Sequence, residues 1–290
     1  MPLYDLLIAP FVDFAFMHRA LLGVTGLALG AAPVGVLLLL RRMSLMGDAM
    51  AHAILPGAAI GYVVAGLSLF AMTFGGLVAG LFVALAAGGI ARGTGLREDA
   101  SLAALFLVSL ALGVAIVSLR GNSVDLLHFL FGDVLALEDP ALMLIAAVAT
   151  LSLMTLAVIW RPLVIESVDP QFLRSVSRAG GPAHICFLAL VALNLVSGFQ
   201  ALGTLLAVGL MIVPAVISRL WTNDLSAMIA IAIAAAVVSG LSGLLLSFHA
   251  GLPAGPAIIL VAGALYAVSV LLGNCGGLLR GRLVRRHLEA

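Results

Sequence analysis

Asp48-Ala49-Met50-Ala51-His52 places a carboxylate and an imidazole four residues apart inside an apolar stretch. On a helix, positions i and i+4 lie on one face. A carboxylate with an imidazole is a borderline donor set. It suits Zn(II), Mn(II) or Fe(II) better than the all-oxygen sets that hold Ca2+ or Mg2+. Two donors are too few for a closed tetrahedral site. A transport site must release its ion, so under-coordination is what it needs. A symmetric homodimer would add a second Asp/His pair across its axis. The competing account is structural, with Asp48 capping a helix and His52 bonding a neighbouring carbonyl. Met46 and Met50 flank the pair and are expected to pack.

The position of the pair adds weight to the chemical account. Arg41-Arg42 mark a membrane boundary just upstream. At the helical rise, His52 lies roughly 15 Å beyond Arg42, about half the thickness of a bilayer's hydrocarbon core. An ionisable group at that depth costs at least about 2.5–3.5 kcal/mol on insertion scales and usually faces a cavity on an ion or substrate path.

A membrane is required by the composition. Of 290 residues, 63% are hydrophobic and only 9% are charged, and mean hydropathy is +1.27. A soluble domain carries about 25% charge. The net charge of +1 leaves no broad basic surface for nucleic acid. We expect an all-α polytopic bundle of eight or nine spans, forming a single transmembrane domain over 1–290 in contact with lipid. Candidate spans are 17–40, 46–67, 69–91, 100–119, 140–160, 183–198, 200–220, 225–248 and 254–274. The sixth is short. Residues 1–5 lack the cationic start of a cleaved signal peptide.

Arginine gives the orientation. With nine spans and the C-terminus inside, twelve arginines face the cytoplasm and only Arg19 and Arg120 face out. The positive-inside rule then predicts N-out, C-in. Asp5, Asp13, Asp125, Asp133, Glu138 and Asp139 fall outside, where an acidic entrance would concentrate cations. His128 and His249 fall on that side too and are weaker candidate metal contacts.

Pro33, Pro56 and Pro214 sit inside spans and can kink them. Glycines at i,i+4, such as Gly26/Gly30, Gly57/Gly61 and Gly76/Gly80, allow close helix packing. Cys186 and Cys275 lie near predicted cytoplasmic ends, where a disulfide is not expected.

The longest predicted cytoplasmic loop, 161–183, holds a candidate amphipathic helix. Asp169 can cap it, Pro170 can start it and Gly180-Gly181 can end it. Phe172, Leu173 and Val176 form its apolar stripe, and Arg174 and Arg178 a charged pair. Such a helix could dock on a partner or lie on the membrane interface.

Enzyme signatures are absent from the sequence, including H-E-x-x-H and G-x-S-x-G. All fourteen basic residues are Arg. Without a lysine there is no P-loop lysine for ATP phosphates, so ATP hydrolysis would need another subunit.

The segment 41–57, Arg-Arg-Met-Ser-Leu-Met-Gly-Asp-Ala-Met-Ala-His-Ala-Ile-Leu-Pro-Gly, resembles the signature of the ABC-3 family, the permeases of zinc, manganese and iron ABC importers. The resemblance continues through 125–136, 168–181, Val213-Pro214-Ala215 and Leu252-Pro253-Ala254-Gly255-Pro256. It implies a homodimeric permease of the type II importer fold in the bacterial inner membrane. It also implies two separate ATPase subunits and an extracytoplasmic metal-binding protein. Asp48 and His52 match the family's metal-path residues by position in the motif, and 168–181 matches the helix that meets the ATPase. No cofactor is permanently bound; the ion is cargo. The imidazole tilts the choice of ion towards zinc. Gly251 departs from the pattern, because relatives often carry an acid there. A proton-coupled metal transporter would show the same local D-x-x-x-H pair, and a purely structural membrane subunit is a third reading.

Overall fold

The computed structural model describes residues 3–66, 68–94, 96, 98–119, 134–168, 172, 177 and 179–278. Among these residues the regular elements are all helical. Two short helices, α1 (Leu3–Leu7) and α2 (Ala9–Asp13), precede α3 (Ala15–Leu40). Then come α4 (Ser44–Ala53), α5 (Leu55–Ala65), α6 (Leu69–Thr94) and α7 (Glu98–Leu119). After a 3-10 turn at Val134–Ala136 follow α8 (Asp139–Val168), α9 (Gly180–Leu202), α10 (Thr204–Trp221), α11 (Leu225–Ala250) and α12 (Ala254–Leu272).

Each of the nine expected spans coincides with helix. Among the described residues, eight segments are long and apolar enough to cross a bilayer when α4 and α5 are taken together as Ser44–Ala65. In α7 the apolar stretch Ala100–Ile116 follows Glu98 and Asp99 of the first turn. Its 22 residues still make a rod of roughly 33 Å, enough to reach across the hydrocarbon core.

Two boundaries differ from expectation. The sixth span is a full 23-residue helix, Gly180–Leu202. The fifth runs on to Val168, so the expected loop 161–183 narrows to the stretch between Val168 and Gly180. Gly180 and Gly181 begin α9. Charge ends an apolar run in the sequence, but it does not end a helix that has already left the bilayer. Arg161 and Glu166 lie on that extension, and Pro162 removes a single backbone bond without breaking it.

Helix α3 is the hub, packed by α8, α9, α10 and α11. Backbones approach closely at Gly35, where an added Cβ would strike the Met211 carbonyl of α10. The α4–α5 pair is held between α6 and α7 on one side, with α9 and α10 against α4. A buried polar tie crosses the core: Asn194 Nδ2 of α9 donates to Ser152 Oγ of α8 at 2.7 Å. Gly251 caps α11 with φ +65°, a left-handed position that favours glycine.

Candidate metal-path site

The helix carrying the Asp/His pair is defined by a corner at one end and a break at the other. At the corner, the Arg42 N–H donates to Leu39 and the Met43 N–H to Leu38, at 3.0 and 2.9 Å. These bonds close α3 with Arg42 in the left-handed region at φ 59°. Two residues later α4 begins. It ends at Ile54 because Pro56 has no N–H to offer the His52 carbonyl. Ile54 is socketed against α6, where a Cβ at Gly76 would lie 2.7 Å from its Cγ2. Ser109 of α7 donates to the Ala53 carbonyl at 3.0 Å. The break is therefore held from two sides.

Asp48 lies mid-helix. The N-cap of α4 is Met43, which removes the capping role that competed for Asp48. His52 Nε2 stands 3.9 Å from Asp48 Oδ1. That is too long for a hydrogen bond, yet within the roughly 4 Å that two donors about 2.1 Å from one ion can span. The other ring nitrogen, Nδ1, is buried without a hydrogen-bond partner among the described residues. The neighbouring-carbonyl account of His52 fails as well. Its ring stacks on Phe106 of α7, with centroids 6.1 Å apart.

Asp48 stands between two open clefts. One, of about 330 Å³, is lined by Asp48, Ala51 and His52 with Thr204, Leu205 and Gly209 of α10. The other, of about 200 Å³, lies towards the α3–α4 corner and is lined by Met43, Met46, Asp48, Leu102 and Phe106. Met50 is fully buried, in its expected packing role. The Asp48 side chain is 65% exposed and that of His52 26%. An ionisable residue within a transmembrane segment almost always faces the bundle interior or a water-filled cavity. This face of α4 therefore needs a polar path or another chain in front of it.

Residues 13–273 match the family described as the ABC 3 transport family. The chain belongs to that family. It is 32% identical over 268 residues to the "Manganese transport system membrane protein MntC" of Listeria innocua, covering 92% of this chain and 94% of that protein. It is 28% identical over 269 residues to the "Chelated iron transport system membrane protein YfeD" of Yersinia pestis, covering 93% and 89%. In structure it is similar to "PsaBC from Streptococcus pneumoniae in complex with Fab", with a TM-score of 0.84 and 29% identity over 95% of this chain and 100% of that one. This ABC 3 protein is thus a multi-pass membrane permease, not an enzyme.

Among the described residues, the other candidates of the ABC 3 chain are not gathered at Asp48 and His52. His249 Nε2 lies 3.0 Å from the Leu6 carbonyl and its ring meets Phe248 edge-on. It ties α11 to the N-terminal segment. His128 lies outside the described residues, as do Asp169, Pro170, Leu173, Arg174, Val176 and Arg178. Phe172 is exposed; Gly180 is buried and Gly181 exposed. No cluster of three or more His, Cys, Asp or Glu able to hold a metal occurs among the described residues. Cys186 and Cys275 are free thiols.

A second polar centre escaped sequence reasoning. Arg41, expected as a boundary charge, is 7% exposed and bonds Glu166 Oε2 at 2.8 Å. Nothing in the Arg41-Arg42 doublet distinguishes the inward residue from the outward one.

Proposed function

We propose that this permease passes a divalent transition-metal ion across a bacterial inner membrane, with Asp48 and His52 as its ion-contacting pair. The observation that carries this reading is the exposed Asp48 carboxylate beside a buried, unpartnered His52 nitrogen on one face of α4. A second copy of the chain, facing the first across α4, would supply the missing donors and exclude lipid. The names of the relatives, for manganese and for chelated iron, favour Mn2+ or Fe2+ as cargo. Carboxylate donors suit manganese, while the imidazole keeps zinc as the third ion to test.

The partners follow from the absence of lysine and from the family. Two separate ATPase subunits hydrolyse ATP on the cytoplasmic side and press on the segment 168–181. An extracytoplasmic metal-binding protein delivers the ion to the outer face, with the N-terminus out and the C-terminus in. ATP-driven closure rearranges the helices, and the ion moves between the two clefts past Asp48 and His52. No bond of the cargo is made or broken beyond ligand exchange.

The test is uptake by the reconstituted complex of permease, ATPase and binding protein in proteoliposomes. ATP should drive uptake of one or more of Mn2+, Fe2+ and Zn2+, and Asp48→Ala with His52→Ala should reduce it to background. Undiminished uptake by that double variant would remove the ion-contacting assignment. Uptake by the permease alone under a proton gradient would replace the importer reading with a proton-coupled one.

A further inference from the structure

Arg41 occupies the corner from which α4 departs. Its Nε donates to Ser167 Oγ at 3.0 Å. One terminal nitrogen lies 3.0 Å from His184 Nδ1. The other donates to Glu166 Oε2 at 2.8 Å and to the Leu163 carbonyl at 3.3 Å. The guanidinium also lies over the Phe187 ring, 4.9 Å from its centroid. Leu163, Glu166 and Ser167 are on α8, while His184 and Phe187 are on α9.

These partners flank one segment. Helix α8 ends at Val168, directly after Ser167, and α9 begins at Gly180, four residues before His184. One planar guanidinium therefore grips both ends of the connection 169–179, using a fork geometry that lysine lacks. On the other side of Arg41 the chain turns through Arg42, at φ 59°, and enters α4. A residue with a side chain persists in that conformation only where its surroundings hold it. Arg41 is such a hold, and Asp48 and His52 lie on the rod that leaves the corner.

We propose that Arg41 is a positioning residue that couples displacement of the facing ends of α8 and α9 to the orientation of Asp48 and His52. This rests on the importer reading above. It adds that the link runs through the Arg41 side chain and its partners on α8 and α9. Arg41 touches no ion; it acts through the direction of α4.

The experiment uses the full complex in proteoliposomes, with the ATPase rate and Mn2+ uptake measured on the same vesicles. Arg41→Lys and Arg41→Ala are compared with wild type, and Glu166→Gln serves as a milder variant should either fail to assemble. Hydrolysis should persist in each, while ions moved per ATP should fall roughly three- to thirtyfold, the range expected for breaking a coupling network. Glu166→Gln should give the smaller loss. Counting only the hydrolysis that depends on loaded binding protein confines the ratio to assembled complex, so a merely structural role leaves it unchanged. A wild-type ratio in the variants, or a proportional loss of hydrolysis and uptake, overturns the proposal. If wild type itself shows no ATP-driven uptake, the importer reading fails instead.

Discussion

Ser109 of α7 reaches across to the Ala53 carbonyl at 3.0 Å, inside the turn where the Asp/His helix stops. Its hydroxyl is buried and serves a carbonyl at a broken helix end. Ser109→Ala leaves that acceptor unsatisfied, at a cost of about 1–2 kcal/mol. We expect a lower melting temperature in detergent and a weaker metal response, because α4 loses its tether to α7. An unchanged melting curve would show that another donor serves Ala53.

Gly57 of α5 and Gly75 of α6 pass backbone to backbone, so a Cβ on either would overlap the carbonyl of the other. Gly57→Ala should cost about 1–3 kcal/mol or more by overpacking, seen as a loss of monodisperse protein on size exclusion. Gly89 lies on the same helix as Gly75, and a Cβ added there would meet nothing within 4 Å. Gly89→Ala should be neutral or stabilise by about 0.5–1 kcal/mol. Equal effects at the two sites would contradict the helix crossing.

The Asp/His pair was legible because a charge inside an apolar run is costly and therefore conspicuous. Spans were legible for the same reason, although Arg161 and Glu166 misled the boundary of α8, since hydropathy measures lipid exposure and not helix length. The Pro56 kink was visible, but its seat was not. Ile54 rests against Gly76 and Gly80, an arrangement set by a neighbouring helix. Arg41 was hidden most completely. Its Ser167 and His184 contacts span 126 and 143 positions of sequence, and its neighbour Arg42 is chemically identical. Arg19 and Asp139 were both expected outside, and the fold joins them at 3.2 Å. As an exposed pair they contribute only about 0–1 kcal/mol.

Val208 lines the larger cleft with Asp48 and His52 and is partly exposed to it. Val208→Trp should fill that space without adding charge. Uptake by the complex should drop to background while the purified permease keeps its wild-type melting temperature. Full uptake with the tryptophan in place would move the ion's route away from this cleft.

Asn194 and Ser152 test how much a buried polar tie contributes where lipid surrounds the bundle. Asn194 Nδ2 also donates to its own helix at Leu190, at 2.9 Å, so it keeps one partner when Ser152 is lost. Ser152→Ala should therefore cost only about 0.6 kcal/mol, the average for interhelical bonds in a membrane protein, and at most about 1.7 kcal/mol. Asn194→Ala should cost more, because it also opens space beside Gly30, whose added Cβ would lie 2.7 Å from Asn194 Oδ1. That space predicts a rescue: Gly30→Ala alone should destabilise the bundle, and Gly30→Ala with Asn194→Ala should recover part of the loss. Thermal melts of the three variants in one detergent would show it. Strict additivity would mean that α3 and α9 do not meet at this point.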